Sequence, residues 1–388
     1  MTRMRYKHVE ISGYKRLSNP EKTELRPLTV MIGANGVGKT SFLEIFSLLA
    51  ASAQGKLKKR MTKMGGFQSL LTCNDSKSIR FALSMDNPEN GILDYTLQLG
   101  LQAISFTIEN ESLHQKHTKQ KTVMDYIQSN GADIRYMNSD KEKILQPNWE
   151  YNYSETALSQ VPKMYKTSEK FREYLSSCLF YSAHELHVSY NAPVRLPQTM
   201  QPALHPGTNG EDLIAFLYYL RETDRNRFEI IQDTLRVAFP GFNQLNFPPV
   251  AAGTISMTWE DEFFSKPLYM NQLSEGTLRF LWLISLLYSP SLPVVTLIDE
   301  PEVSLHPELL NILRDAMREA SMHTQLIVAT HSDRMISFLE PSEVLVFDSE
   351  EGMTQMTWAD SPHFDLETWL KEYTLDELWR MGQIGGRS

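Results

Sequence analysis

The chain has 388 residues, of which 41% are hydrophobic and 22% are charged. These proportions are sufficient for the core of one large domain or of a domain with an insertion. The net charge of −9 argues against a surface that is uniformly suited to phosphate backbones, although a local basic stripe remains compatible with it.

The sequence contains no segment with the length and apolarity of a membrane helix. The longest strongly apolar run, from Phe280 to Tyr288, is far shorter than the ~20 residues that a bilayer requires. The N-terminus also lacks the apolar stretch of a secretory signal. We therefore expect a cytoplasmic protein without a membrane segment.

The N-terminal part is predicted to contain strands and one strand–loop–helix unit. The segments Tyr6 to Ile11 and Leu28 to Ile32 have strand-like patterns, and Gly33 follows the second of them directly. Apolar residues then recur at helical spacing from Lys39 onward. The order is therefore strand, glycine loop and amphipathic helix.

The pattern changes twice between this unit and the C-terminal third of the chain. Residues 79–108 are strand-like with turn signals at Asn87-Pro88 and Asn90-Gly91, which predicts an antiparallel layer. Residues 109–170 are polar and show no sustained period, which indicates an inserted region. Two helices are predicted to follow, at 211–219 and 227–239.

From residue 271 onward, helices alternate with strands that are apolar throughout. This alternation predicts a mainly parallel sheet with helices on both faces. The helices are predicted at 277–288 and 307–320, and the strands at 294–298, 325–329 and 344–347.

Together these elements predict an α/β fold with an N-terminal antiparallel β layer and an inserted α-rich arm. The expected parts are an N-terminal half of the core at 1–108, an inserted polar and helical region at 109–250, and a C-terminal half of the core at 251–388.

The glycine loop has the pattern of a phosphate-binding P-loop. Its sequence is Gly33-Ala34-Asn35-Gly36-Val37-Gly38-Lys39-Thr40, which fits G-x-x-x-x-G-K-[ST] between a predicted strand and a predicted helix. Backbone N–H groups and the helix N-terminus would hold the phosphates of ATP, Lys39 would reach the β- and γ-phosphates, and Thr40 would ligate magnesium. The expected nucleotide-binding residues of this segment are Asn35, Gly36, Val37, Gly38, Lys39, Thr40 and Ser41.

Two acidic residues, Asp299 and Glu300, end the buried strand that begins at Val294. The carboxyl end of a strand is where an α/β sheet places its ligands. We expect Asp299 to hold magnesium and Glu300 to polarise the attacking water as a general base. Two acids at a helix N-terminus would also favour the helix dipole, but the P-loop in the same chain makes the nucleotide role the preferred interpretation.

No other metal site is expected. Cys73 and Cys178 lie far apart, without a Cys-x-x-Cys pattern or neighbouring histidines, so neither a disulfide framework nor a zinc site is supported. His184-Glu185-Leu186-His187 looks like a zinc motif, but its second histidine comes three residues after the first instead of four.

The segment Leu273-Ser274-Glu275-Gly276-Thr277 resembles the signature motif of ABC ATPases. Ser274 can cap the helix that follows, and Gly276 lets a γ-phosphate approach free N–H groups. The resemblance implies that Ser274, Glu275 and Gly276 contact ATP held by another protomer. It also identifies His331, in Val328-Ala329-Thr330-His331-Ser332-Asp333, as the family's switch histidine, a catalytic residue that follows an apolar strand.

The segment Asp299-Glu300-Pro301-Glu302-Val303-Ser304-Leu305-His306-Pro307 is similar to the extended Walker B motif and D-loop of the RecF/SMC-like branch. It resembles most closely the stand-alone bacterial ATPases related to the OLD family, some of which act in anti-phage defence. The tail Tyr373-Thr374-Leu375-Asp376-Glu377-Leu378-Trp379 with Gly385-Gly386 is also similar to theirs, although Asp376 stands where glycine is more usual.

This resemblance implies a homodimer or higher homo-oligomer that changes shape with its nucleotide state. Only a short tail follows His331, which leaves no room for the TOPRIM nuclease of OLD proteins. We therefore expect a separately encoded effector protein, such as a nuclease, in anti-phage defence or DNA maintenance. A transporter ATPase subunit and a small-molecule kinase remain alternatives.

Two further assignments stay open at this point. Gln68, in Gly65-Gly66-Phe67-Gln68, is either the Q-loop glutamine of the nucleotide site or part of a simple turn. A basic cluster follows the P-loop helix and either contacts DNA or forms a solvated face. Its members are Lys56, Lys58, Lys59, Arg60 and Lys63.

Overall fold

The computed structural model describes residues 4–72, 76–87, 91–103, 105–116, 123–131, 133–138, 143–145, 150–364 and 373–384. Cys73, Pro88 and Asn90 of the predicted turns, and the Gly385-Gly386 pair lie outside the described residues. No helix of the described ranges is long and apolar enough to cross a membrane.

The elements of the N-terminal half are, in chain order, β1 (Arg5–Tyr14), β2 (Leu17–Glu24), β3 (Leu28–Ile32), α1 (Lys39–Ala53), α2 (Leu57–Lys63), α3 (Phe67–Leu70), β4 (Ser78–Asn87), β5 (Gly91–Gln102), β6 (Ser105–Lys116), β7 (Val123–Asn130), β8 (Asp133–Asn138) and β9 (Lys143–Leu145).

The elements that follow are α4 (Lys166–Ser176), β10 (Leu179–Ser182), β11 (Gln198–Thr199), α5 (Leu213–Thr223), α6 (Arg225–Ala238), β12 (Phe242–Asn246), β13 (Pro249–Ala251), β14 (Thr254–Ile255), β15 (Thr258–Asp261), β16 (Leu268–Tyr269), α7 (Glu275–Leu287), β17 (Val295–Asp299), α8 (Pro307–Ser321), β18 (Gln325–Ala329), α9 (Asp333–Ile336), β19 (Val344–Glu350), β20 (Met353–Trp358) and α10 (Leu375–Arg380).

One antiparallel sheet contains the strands of the N-terminal half other than β3. Its spatial order among the described residues is β2-β1-β4-β5-β6-β7-β8-β9. Alternate residues of β5 are buried, as expected for a sheet with one covered face. The aromatic residues Phe42 and Phe46 of α1 lie in the same core cluster as the inner face of this sheet. The predicted antiparallel layer is confirmed.

The polar region from residue 109 onward requires a correction. In the described residues up to 145 this region has regular structure, because β6, β7, β8 and β9 extend the antiparallel sheet. The predicted boundary at position 108 lies inside β6. The inward positions Leu113, Ile127 and Tyr136 are completely buried, but the polar residues between them hide this alternation in the sequence. The helices of the region are α4, α5 and α6, between 166 and 238.

The second large sheet is mainly parallel and has the order β10-β17-β18-β3-β19-β20 in the described part of the chain. Only β20 runs antiparallel to its neighbour. All residues of β3, β17 and β18 are buried. Along these strands, alternate side chains point to opposite faces and belong to two different core clusters. One cluster contains residues of α7 and α8, and the other contains residues of α1. Helices therefore cover both faces, as the sequence predicts.

The register of the parallel strands brings four loops to one edge of this sheet. Ser182 of β10 pairs with Asp299 of β17, which pairs with Ala329 of β18, and Ala329 pairs with Met31 of β3. The residues that follow these strands therefore lie side by side at the carboxyl edge, where open α/β sheets bind ligands.

Candidate nucleotide-binding site

The P-loop lies between β3 and α1 and packs against the last two strands of the parallel sheet. A Cβ atom on Gly33 would lie 2.3 Å from the backbone oxygen of Phe347, so only glycine fits there. The Thr354 hydroxyl donates a hydrogen bond to the Val37 backbone oxygen at 2.6 Å. Asn35 and Gly36 are exposed at the tip of the loop, which leaves its outer surface accessible to a ligand.

Lys39 is folded into the P-loop and is only 4% exposed. Its Nζ donates to the backbone oxygens of Gly33 at 2.7 Å and Ala34 at 3.0 Å, and lies 3.3 Å from Nδ1 of His331. Burial lowers the pKa of Lys39 to about 8, against the opposite effect of the nearby carboxylates. A cation that is partly desolvated in this way gains from an anionic ligand.

Thr40 and Asp299 place two oxygen atoms next to each other, as a magnesium site requires. The Thr40 hydroxyl donates to Oδ1 of Asp299 at 3.3 Å. Burial, and next the charge of Glu300, raise the pKa of Asp299 to about 6, while the Thr40 hydrogen bond acts in the opposite direction. A bound cation would favour the ionised carboxylate, and hydroxyl and carboxylate oxygens are ligands that magnesium prefers. The residues therefore fit this ion.

Glu300 follows β17 with a left-handed backbone, at a φ of 54°, and its carboxylate lies between two histidines. His184 Nε2 is 3.0 Å from Oε2 of Glu300, whereas His331 Nε2 is 3.6 Å from Oε1. The backbone N–H of Glu300 donates to the Ala329 oxygen at 2.8 Å, which fixes the residue to the end of β18. The carboxylate therefore points toward the same edge as Lys39.

His184 was not predicted as part of this site. In the sequence it belongs to an apparent zinc motif of the wrong spacing, but in the structure it comes two residues after β10 and contacts Glu300. The signal that could have found His184 is its position just after Leu179–Ser182. This short segment consists of residues that favour a strand, and the residues after a strand of a parallel sheet lie at the ligand-binding edge.

Glu302 holds the loop that carries His331. Its Oε1 accepts hydrogen bonds from the Thr330 hydroxyl at 2.7 Å and from the His331 backbone N–H at 2.8 Å. Burial raises the pKa of Glu302. Burial also lowers the pKa of His331, and the positive charge of Lys39 lowers the His331 pKa further. Lys39 can therefore donate to Nδ1 of a neutral His331, whose proton is then on Nε2 and faces Glu300.

The signature segment begins α7, with Ser274 as its N-cap. The Ser274 side chain accepts a hydrogen bond from the Thr277 backbone N–H at 3.1 Å. Oε1 of Glu275 accepts from Nε of Arg279 at 2.8 Å and from the Ser304 hydroxyl at 2.9 Å. Among the described residues, no hydrogen bond or ion pair joins Ser274, Glu275 or Gly276 to the P-loop of the same chain.

The structure does not bring Gln68 to this cluster. Gln68 lies on α3 and is exposed, and its side chain forms none of the hydrogen bonds of the described residues. The loop beside it contacts the antiparallel sheet instead, since the Thr72 N–H donates to the Gly13 oxygen at 3.0 Å. The Gly-Gly-Phe-Gln segment forms a turn and a short helix.

The predicted basic cluster lies on and next to α2. Lys56, Lys58, Lys59 and Lys63 are exposed, and Arg60 is half-buried. The Glu155 carboxylate caps the start of α2 by accepting hydrogen bonds from the backbone N–H groups of Leu57 and Lys58. These contacts fit a solvated face and leave the lysine side chains accessible.

A model of the family described as "AAA domain, putative AbiEii toxin, Type IV TA system" matches residues 28–337. This chain belongs to that family. The matched range runs from β3 through the P-loop, the segment Leu273–Thr277 and Asp299 to the loop that carries His331. No curated protein matches the chain.

The fold of this AAA-domain family member is similar to solved structures of SMC head domains. An SMC head bound to the C-winged helix domain of ScpA has 11% identity and a TM-score of 0.54, over 91% of this chain and 97% of that chain. An Smc head with an extended coiled coil, bound to the C-terminal domain of ScpA from Pyrococcus furiosus, has 10% identity and a TM-score of 0.53. The match covers 95% of this chain and 99% of that chain. The predicted SMC-like P-loop fold is confirmed.

Proposed function

We propose that this protein is an ATPase that binds ATP and magnesium between two copies of itself and hydrolyses the ATP. The observation that carries this proposal is the meeting of the P-loop, Asp299, Glu300 and His331 at one sheet edge. In this proposal the P-loop supplies the phosphate cradle, Asp299 the cation site and Glu300 the general base, all at the same edge of the sheet.

The P-loop binds the phosphates in this proposal. Lys39 exchanges its hydrogen bonds to the Gly33 and Ala34 oxygens for contacts with the β- and γ-phosphates. The N-terminus of α1 contributes backbone N–H groups and the positive end of its dipole, with Ser41 in the first turn. Thr40 and Asp299 hold magnesium, which when bound supplies positive charge that offsets the charge of the phosphates.

Glu300 orients and polarises the attacking water as the general base. Its carboxylate lies next to Asp299 and within 3.6 Å of the His331 ring. His331, which is connected to Lys39 through Nδ1, then contacts both the base and the phosphate-binding lysine. Movement of a γ-phosphate would therefore be transmitted to Glu300 through this histidine.

The second copy is needed because the signature segment does not contact the P-loop of its own chain. Ser274 is exposed and caps α7, so the free N–H groups of the first turn of α7 are available to the ATP of a partner. ATP would then close the dimer, and hydrolysis would open it again. This supports a nucleotide-dependent change of shape as the output of the ATPase.

The target of this change is proposed to be a separately encoded effector protein, such as a nuclease, in anti-phage defence or DNA maintenance. The similarity of the Asp299 to Pro307 segment to OLD-related ATPases supports this setting. The family description, which names a putative toxin of a type IV toxin–antitoxin system, is compatible with it. The exposed lysines of α2 leave DNA contact open as an additional interaction.

The test is a phosphate-release assay with ATP and magnesium, together with a nucleotide-binding assay. We expect the wild type to release phosphate, Lys39→Ala to lose ATP binding, and Glu300→Gln to bind ATP without hydrolysis. Glu262→Gln, an exposed residue between β15 and β16, is the matched control and should hydrolyse like the wild type. Unchanged hydrolysis by Glu300→Gln would contradict the proposal.

A further inference from the structure

His184 lies beside Glu300 because of the pairing between β10 and β17. Ser182 pairs with Asp299, and the Ala183 N–H donates to the Asp299 backbone oxygen at 3.1 Å. Glu300 is the first residue after the end of β17, and His184 is the second residue after the end of β10. Nε2 of His184 lies 3.0 Å from Oε2 of Glu300, on the oxygen that does not face His331.

The backbone before His184 is fixed by a buried arginine. Arg279 of α7 is 8% exposed, and its Nη1 donates to the Ala183 oxygen at 2.6 Å. Its Nε donates to Glu275 in the signature segment. The His184 N–H also lies 3.3 Å from the Ser182 hydroxyl oxygen. The loop therefore has a defined position, although the His184 side chain itself is 72% exposed.

Glu300 requires such a partner for its orientation. Its own backbone has a left-handed conformation, and the 3.6 Å distance to His331 is too long for a direct hydrogen bond. Among the described side chains, His184 is the one whose ring nitrogen lies within hydrogen-bond distance of the Glu300 carboxylate. The contact is an ion pair when the imidazole is protonated, and in either state it places a polar ring edge against the carboxylate.

We propose that His184 is a positioning residue that holds the Glu300 carboxylate in the orientation needed to activate water. This inference rests on the proposed ATPase function and adds a residue to its hydrolysis step. Loss of the His184–Glu300 contact leaves the P-loop contacts of Lys39 intact, so ATP binding should not depend on it. The role predicts a change in the rate of hydrolysis and not in affinity.

The test compares His184→Ala, His184→Gln and the control His187→Ala in full-length protein. Single-turnover hydrolysis gives the rate, and titration with a fluorescent ATP analogue gives the affinity. We expect His184→Ala to lower the rate by about tenfold or more with less than about a twofold change in affinity. His184→Gln should recover most of the rate, because its side-chain amide can place an N–H group near the position of Nε2. His187 is exposed on the same loop, and its removal should have no effect.

Three results would overturn the inference. Wild-type hydrolysis by His184→Ala would show that Glu300 is positioned without it. Equal losses of rate, affinity and melting temperature in the alanine and glutamine variants would show a structural role instead. A wild-type protein without hydrolysis would overturn this inference and the proposed function together, whereas the first two results leave the proposed function intact.

Discussion

Ser304 donates a hydrogen bond from its hydroxyl to the Glu275 carboxylate at 2.9 Å. This bond joins the loop after β17 to the first turn of α7. The Ser304 backbone oxygen also occupies the space beside Gly276, where an added Cβ atom would lie 2.6 Å from it. The start of the signature helix and the loop behind the acidic pair are therefore packed as one unit.

Gly276→Ala should disrupt this unit because the clash is with a backbone atom, which cannot rotate away. The P-loop does not contact Gly276 in the described residues, so we expect ATP binding by the single chain to remain near the wild-type level. Hydrolysis should fall by about tenfold or more, since the partner-facing helix start is displaced. Paired binding and hydrolysis assays measure both effects.

Gly253→Ala is the control for a destabilising glycine substitution away from the site, because Gly253 has open space around it but a φ of 76° that strains alanine. It should hydrolyse ATP like the wild type. If Gly276→Ala also does so, the signature segment is not part of the hydrolysing assembly.

Asp299→Asn should stabilise the nucleotide-free protein at alkaline pH. The folded pKa of Asp299 is about 6 and the ordinary value is 3.8, so the fold favours the neutral form. The ionised carboxylate therefore lowers the free energy of unfolding. This loss of stability grows as the pH rises from about 4 to about 6 and stays constant above pH 6. Asparagine keeps an oxygen that accepts from Thr40, and it should therefore raise the free energy of unfolding by up to about 3 kcal/mol at pH 8.

Denaturant unfolding at pH 8 and pH 4 measures this effect, which should shrink toward the lower pH. Asp348→Asn, at an exposed position, is the matched control for the replacement of an aspartate by asparagine. In the presence of ATP and magnesium the order should reverse, because the wild-type carboxylate then has its cation. An Asp299→Asn protein that is less stable than the wild type at pH 8 without ligand would contradict the assignment.

Glu302 should matter for hydrolysis through the His331 loop. Alanine removes the acceptor for both the Thr330 hydroxyl and the His331 N–H, whereas glutamine keeps one oxygen that can serve both donors. We expect Glu302→Ala to lower the rate of hydrolysis by about tenfold and Glu302→Gln to remain much closer to the wild type. Saturating ATP separates this rate from affinity. Equal rates for the two variants would show that these hydrogen bonds do not position His331.

Thr354→Val should weaken ATP binding through the P-loop backbone. Valine has nearly the same shape, but it leaves the Val37 oxygen without the hydrogen bond from Thr354 in a buried place. The loop then loses a constraint on its phosphate-binding conformation, and we expect the Kd for ATP to rise about three- to tenfold. Thr354→Ser keeps the hydroxyl and should bind like the wild type. A valine variant with unchanged Kd would show that β20 does not support the loop.

The parts of the site that are encoded locally could be predicted from the sequence. The P-loop needs only its own glycines, Lys39 and the strand and helix on either side. Strands that are buried on both faces, such as Val295–Asp299, are mainly apolar and are easily recognised. These features predicted the mainly parallel sheet, whose strand order only the structure gives.

The parts that depend on distant pairing could not be predicted in the same way. His184 and Glu300 are far apart in the chain and meet only because β10 and β17 are neighbours in the sheet. The strands after residue 109 were missed because their exposed faces are polar and their buried positions are few. For Gln68 the sequence left both a Q-loop role and a simple turn open, and in the structure Gln68 is exposed on α3.

The most direct test of the central claim is the solution mass of Glu300→Gln protein, measured by light scattering with and without ATP and magnesium. This variant should bind ATP but not hydrolyse it, so a closed assembly would accumulate. We expect the mass to double only when ATP and magnesium are both present. A mass that stays at the value of a single chain while nucleotide binding is retained would contradict the proposal that ATP is held between two copies of the chain.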